Sequence, residues 1–158
     1  VSEPLPVGRG VEQLRVVIAD DHDLFRTGLR NLLEEQGVQI VGEAATGAEA
    51  VRSVREIAPD IVVMDLNMPG MGGVEATRHI AAIAPLTRVV VLTISDEDAD
   101  VLDAIMAGAC GYLLKDSSIH ELLAGIEAAS RGESLISPRI AAQVLQRVRA
   151  TSAQPDIA

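Results

Sequence analysis

The chain has 158 residues, 48% hydrophobic and only 1% aromatic, enough apolar mass for one domain built around an aliphatic core. Its net charge of −10 excludes a non-specific nucleic-acid binder, because displacing counterions from phosphates needs a basic face. A single cysteine, Cys110, excludes an internal disulfide, and no apolar run approaches the roughly 18 residues of a membrane span, so a reducing, cytoplasmic setting with no membrane contact is expected.

The first residues, "VSEPLPVGRG", lack the apolar centre of a signal peptide, and residues 1–13 read as a flexible leader. "RVVIAD" is a buried-strand pattern ending in acids. In "HDLFRTGLRNLLEEQG", Leu24, Phe25, Leu29, Leu32 and Leu33 recur at helical spacing, and Gly37 ends the helix. "VQIVGEA" is a second strand. Thr46 and Glu49 form a capping box for a second helix that stops before Pro59. "DIVVMD" is the third strand, and "GVEATRHIAAIAP" a third helix closed by Pro85. "TRVVVLTIS" is the fourth strand, after which Ser95 and Asp98 resemble a helix start. Cys110, among small and apolar residues, reads as an inert core thiol. "GYLLK" is a short fifth strand, and Ser118 with Glu121 caps a fifth helix. Ser137 and Pro138 open a last helix whose Ile140, Val144 and Val148 form a narrow apolar stripe, suited to a linker, a dimer contact or a flap on its own domain.

Strands alternating with helices predict an α/β fold: an open, doubly wound, five-stranded parallel sheet with helices on both faces and one extra C-terminal helix. In the flavodoxin-like order 2-1-3-4-5, ligands sit beyond the C-terminal ends of the strands. Strand 1 ends in Asp20 and Asp21, strand 3 in Asp65, strand 4 at Thr93 and strand 5 at Lys115, while the edge strand 2 ends in "GEA". The "IVVMDLNMPG" segment shows the pattern most clearly, because a carboxylate closing a fully apolar strand sits at the strand's end, or has a partner, or both. Three close carboxylates repel one another unless a cation lies among them, and a hard cation such as Mg2+ is the natural choice. Mg2+ beside a lysine and a hydroxyl suits phosphoryl chemistry, and Asp is an accepted phosphoryl nucleophile. Asp65, central in the sheet, is the nucleophile by position, with Asp20 and Asp21 on the metal side.

"IADDH", "VVMDLNMPGMGG", "VVVLTIS" and "GYLLKD" together resemble the receiver domain of bacterial two-component response regulators, over about residues 14–132. The resemblance implies that Asp65 is the phospho-acceptor and that Asp20, Asp21, Asp65 and the Asn67 backbone carbonyl hold Mg2+, for which Mn2+ can substitute, Asp21 directly and Asp20 mostly through water. It implies that Thr93 and Lys115 contact the phosphoryl group, that Tyr112 is a switch residue following Thr93, and that Asn67 and Ser95 tune the phosphoryl lifetime. Such a domain is a switch rather than an enzyme, though it can catalyse its own phosphorylation and slow dephosphorylation. Its partners would be a sensor histidine kinase and a second copy, through the face of helix 4, strand 5 and helix 5 or through the C-terminal helix. Asp116 follows Lys115 where many receivers have proline, so a trans peptide bond is expected.

Residues 111–145 also resemble the NarL and FixJ group, in which a LuxR-type helix-turn-helix domain carries the DNA-binding output. No such domain is expected within these residues, which suggests an excised or a stand-alone receiver. Residues 133–150 then read as a linker or accessory helix and residues 151–158 as a loose tail. A Mg2+-dependent phosphohydrolase would also form an aspartyl phosphate, but Asn67 stands where such enzymes place a second acid and cannot serve as that acid. A receiver-like scaffold that works without phosphorylation is a further alternative. A transition-metal site around His22 in "DDHD" is disfavoured by its single imidazole. His79 and His120 read as surface residues. "GMGG" lacks the setting of a phosphate-cradling loop and more simply lets the chain bend after Asp65.

Overall fold

The computed structural model describes residues 10–153; of the expected leader (1–13) and tail (151–158), residues 1–9 and 154–158 lie outside the described residues. Within the expected leader, Val11–Gln13 form a short 3-10 turn, and Val11 packs against the core beside the buried Leu14. The chain then alternates strand and helix. Its elements are β1 (Arg15–Ala19), α1 (Asp23–Glu35), β2 (Gln39–Ala44), α2 (Gly47–Ile57), β3 (Ile61–Met64), α3 (Gly73–Ile83), β4 (Arg88–Thr93), α4 (Asp98–Ala107), β5 (Gly111–Leu114), α5 (Ile119–Ser130), β6 (Leu135–Ile136) and α6 (Pro138–Ala153).

The sheet is parallel throughout, in the order β2-β1-β3-β4-β5-β6. The expected five strands thus gain a sixth. Leu135 and Ile136, flanked by serines, are too few to show a period of two; they become a strand because they lie along β5 and pair with Gly111 and Tyr112. α6 also runs on to Ala153, past the expected boundary at 150.

Strand residues alternate between two apolar layers. Val16, Ile18, Ile61, Val63, Val90, Leu92 and Leu113 face α1 and α5. Val17, Ala19, Val62, Met64, Val89, Val91 and Tyr112 face α2, α3, α4 and α6. Each central strand is thus covered on both sides, which is why its sequence is an unbroken aliphatic run.

Three of the predicted caps form: the Glu49, Glu121 and Ile140 backbone N–H groups donate to the hydroxyls of Thr46 (3.1 Å), Ser118 (3.1 Å) and Ser137 (3.4 Å). Ser95 does not cap α4. Its hydroxyl donates to Asp100 Oδ2 instead, and α4 starts from Glu97 without a side-chain cap. In α1, Leu29 and Leu33 are buried, but Leu24 is 81% and Leu32 48% exposed. The sheet reaches only one side of the helix, and these two leucines lie on an adjacent stripe. The C-terminal stripe divides: Ile140 is fully buried and Val144 partly, whereas Val148 is exposed, so the start of α6 is a flap on its own domain.

Candidate functional site

The parallel ladder continues one residue past several strand ends, and this fixes the polar groups. The Asp20 N–H donates to the Ala44 carbonyl (2.9 Å), the Asp65 N–H to Ala19 (2.9 Å) and the Lys115 N–H to Thr93 (2.8 Å). One oxygen from each of Asp20, Asp21 and Asp65 then lies within 4.8 Å of the others. Asp20 and Asp65 are only 2% and 5% exposed, while Asp21 opens to solvent.

The Lys115 ammonium balances this charge, 2.7 Å from Asp20 Oδ2 and 3.4 Å from Asp65 Oδ2. It also lies 4.2 Å from the centre of the Phe25 ring, whose negative face attracts a cation. The His22 N–H donates to Asp20 Oδ1 (2.8 Å), and the Asn67 N–H makes a long contact with Asp65 Oδ1 (3.4 Å). Burial pushes the Asp65 carboxyl above the usual carboxylate range, and the negative charge of Asp20 adds to this. The attraction of Lys115 and the hydrogen bonds from Thr93 and Asn67 offset only part of the rise.

The loop behind Asp65 is shaped by glycine. A Cβ on Gly73 would stand 2.1 Å from the Asp65 carbonyl oxygen and 2.7 Å from Leu66 Cα, and Gly70 adopts φ +71°. The bend expected from "GMGG" therefore depends on missing side chains. Thr93 is fully buried at the end of β4, and its Oγ1 accepts from the Ser95 N–H at 3.4 Å. Tyr112, also fully buried, donates its hydroxyl to the Ser95 carbonyl (2.8 Å). Burial pushes this phenol well above its ordinary pKa. Tyr112 is thereby tied to the backbone two residues beyond Thr93.

Asp20, Asp21, Asp65 and Lys115 converge as their strand-end positions suggested. Asn67, Asp21, His22, Phe25, Ile94 and Asp116 line the same open cleft with Asp65 and Lys115. Ser95 lines an adjoining cavity with Asn67 and Ile94. His22 is a helix cap: its Nδ1 accepts from the Phe25 N–H at 3.2 Å. His79 and His120 are on the surface, and Cys110 is partly buried against the α1 and α5 layer. The Lys115–Asp116 bond is trans. Helical spacing marks Phe25 only as one of an apolar set; its rarity in the chain and its position five residues after Asp20 are the signals for its place at the cleft. Ile94 and Asp116 had no signal beyond adjacency to Thr93 and Lys115. Beside the cleft, Leu24, Leu32, Ile119 and Leu122 line a groove of about 300 Å³ between α1 and the start of α5. Among the described residues no helix is long and apolar enough to cross a membrane.

The chemistry available here is that of a carboxylate set able to take a hard cation, one buried carboxylate that can act as a nucleophile, and an ammonium beside both. The family model for the response regulator receiver domain matches residues 16–127. Response regulator GacA of Pseudomonas viridiflava is 42% identical over 132 residues, 83% of this chain and 62% of that protein. Transcriptional regulatory protein LiaR of Bacillus subtilis is 42% identical over 137 residues, covering 86% of this chain and 65% of that protein. The chain therefore spans under two thirds of the length of these relatives. Among solved structures, a LuxR-family two-component response regulator from Aurantimonas sp. SI85-9A1 superposes with a TM-score of 0.81 at 43% identity, over 86% of this chain and 98% of that one. The NarL signal receiver domain from Mycobacterium tuberculosis superposes with a TM-score of 0.72 at 37% identity, over 76% of this chain and 98% of that one. Strand order, acid cluster and sequence agree, and the chain belongs to the receiver domains of two-component response regulators, of the LuxR and NarL type.

Proposed function

We propose that Asp65 is the phospho-acceptor of this receiver and that its modification, in the presence of Mg2+, shifts the domain between two conformations. The observation carrying this reading is the meeting of three carboxylates with Lys115 at the ends of β1, β3 and β5. The donor set is all oxygen and partly open to solvent, which fits a cation that keeps several of its waters. Asp20, Asp21, Asp65 and the Asn67 carbonyl would hold it. When bound, Mg2+ supplies charge neutralisation for the incoming phosphoryl oxygens.

The residues of the chain do the rest. An Asp65 oxygen attacks the phosphorus of a phosphohistidine in a sensor kinase, forming a P–O bond as the P–N bond breaks. Lys115 turns from Asp20 toward the transferred group, and the Thr93 hydroxyl donates to it. The vacated space lets Tyr112 respond, and the loop after β4 shifts with it. Asn67 and Ser95 border the site and set how readily water reaches the acyl phosphate. The groove beside Lys115 gives a donor domain an apolar surface next to the acceptor. Small phosphodonors would serve as well, so the domain can catalyse its own phosphorylation and slow dephosphorylation.

A transcriptional output is supported by the name of one relative, the transcriptional regulatory protein LiaR. A DNA-binding helix-turn-helix domain would deliver that output, with residues 14–132 as the receiver, residues 133–150 leading toward the output and homodimerisation through α4, β5 and α5 or through α6. A cytoplasmic location fits this role. The decisive experiment is intact-protein mass after incubation with acetyl phosphate. One phosphoryl adduct that requires Mg2+ and is lost in Asp65→Asn is expected. An adduct that persists in Asp65→Asn, or no adduct in the wild-type chain, would overturn the assignment.

A further inference from the structure

α6 is held on the domain by a mixed contact. Ile140 is fully buried in the same apolar cluster as Val101 and Ala104 of α4 and Tyr112 of β5, and Val144 packs partly against that cluster. Between them, the side-chain carbonyl oxygen of Gln143 is buried with no hydrogen-bond partner. A buried acceptor without a partner forfeits its hydration, so Gln143 opposes the docking that Ile140 favours. Farther along, Leu145 and Val148 are more than half exposed and add little.

A second tie is ionic, an ion pair between Arg139 in the first turn of α6 and Asp96 in the loop after β4. This pair borders the site: Arg139, Asp96 and Ile94 line one cavity with Lys115 and Asp116. Asp96 also follows Ser95, whose carbonyl holds the Tyr112 hydroxyl. The hydrophobic seat of α6 and its ionic tie thus both rest on the segment that begins at Thr93.

We propose that α6 is a displaceable latch, docked on α4 and β5 while Asp65 is unmodified and released when Asp65 carries a phosphoryl group. The inference rests on Asp65 being the acceptor. A phosphoryl group draws Thr93 and Lys115 inward. That movement carries Asp96 away from Arg139 and changes the space around Tyr112, removing the ionic tie and altering the seat of Ile140 together. An element held by one buried residue and one exposed ion pair, and opposed by an unpartnered oxygen, is one that a local change can tip. Release uncovers Val101, Ala104 and Tyr112 and frees the segment that follows the domain.

The test is hydrogen–deuterium exchange of the α6 amides in the whole chain, with and without Mg2+ and acetyl phosphate, with intact mass recording the adduct. Phosphorylation is expected to speed exchange across α6 by about tenfold, within the usual range of coupling between two sites. In the unmodified chain, Arg139→Ala should speed it and Gln143→Leu should slow it, since leucine removes the unpartnered oxygen. An adduct on Asp65 with unchanged α6 exchange would overturn the latch and leave the acceptor assignment standing. Failure to form any adduct would overturn both. Faster exchange in Gln143→Leu would also count against the latch, because it would mean that Gln143 holds α6 down.

Discussion

Replacing Lys115 by methionine keeps the apolar stem over Phe25 and removes only the ammonium. At an effective dielectric constant of about 20, an ammonium 2.7 Å from Asp20 gains about 6 kcal/mol of attraction, and one 3.4 Å from Asp65 about 5 kcal/mol. On the same scale the Asp20 and Asp65 oxygens, within 4.8 Å of each other, repel by at least about 3 kcal/mol. Drying the ammonium takes back much of the attraction, so the net loss should be about 3–5 kcal/mol, as for removing one partner of a buried pair. The sign of the pH dependence follows from Asp65, whose carboxyl is already raised by burial. Without Lys115 it rises further. The Asp65 share of the added destabilisation is then fully present above the folded-state pKa, shrinks as pH falls through it, and is gone below the unfolded value of about 3.9. Urea unfolding of Lys115→Met should show a larger loss at pH 7.5 than near pH 4, where most of the Asp65 share has gone. Mg2+ should restore more stability to the variant than it adds to the wild type; a ligand at a hundred times its Kd contributes about 2.7 kcal/mol. A loss equal at both pH values, or untouched by Mg2+, would mean that Lys115 acts through the packing of its stem and that the ionic reasoning is wrong.

Gly73→Ala should destabilise the domain by about 1–3 kcal/mol, because the new methyl must displace the Asp65 backbone; thermal unfolding measures this, and slower adduct formation at Asp65 should accompany it. Glu43 receives hydrogen bonds from Arg26 (2.8 Å) and Arg30 (2.6 Å). Burial alone would push its carboxyl up, but these hydrogen bonds reverse that and hold it below the usual range. Glu43→Gln should therefore cost about 1 kcal/mol at pH 7, an amount that fades as pH falls through the lowered folded-state pKa, read from urea midpoints across pH. Tyr112→Phe removes the hydrogen bond to the Ser95 carbonyl. It should cost about 1 kcal/mol and speed amide exchange in the loop after β4 without unfolding β5.

Much of the site was legible because burial makes polar residues conspicuous. A carboxylate ending four apolar residues, as Asp65 does, marks both the strand and its end, and the same holds for Asp20, Thr93 and Lys115. The caps at Thr46, Ser118 and Ser137 were legible because a hydroxyl before an apolar-periodic run has a local use. Ser95 misled for the same reason: a hydroxyl also has long-range uses, and Asp100 competes for it. Leu24 and Leu32 misled because helical spacing marks an apolar arc but not how far the sheet extends beneath it. Phe25 under Lys115 depends on where α1 crosses the sheet, which no local pattern encodes. β6 was invisible because two residues hold no period and its pairing depends on where the chain lies after α5.

That two-residue strand bears on solubility. An open parallel sheet has two edges, and an uncovered edge is a template on which another chain can grow by backbone pairing. One edge, β2, carries Glu43 clasped by Arg26 and Arg30, so charged side chains guard its final residues. The other would be β5, whose sequence "GYLL" is apolar and uncharged, a composition prone to β-aggregation. Leu135 and Ile136 occupy the backbone groups of Gly111 and Tyr112 before a neighbouring molecule can. This two-residue element thus keeps an apolar strand from recruiting a stranger.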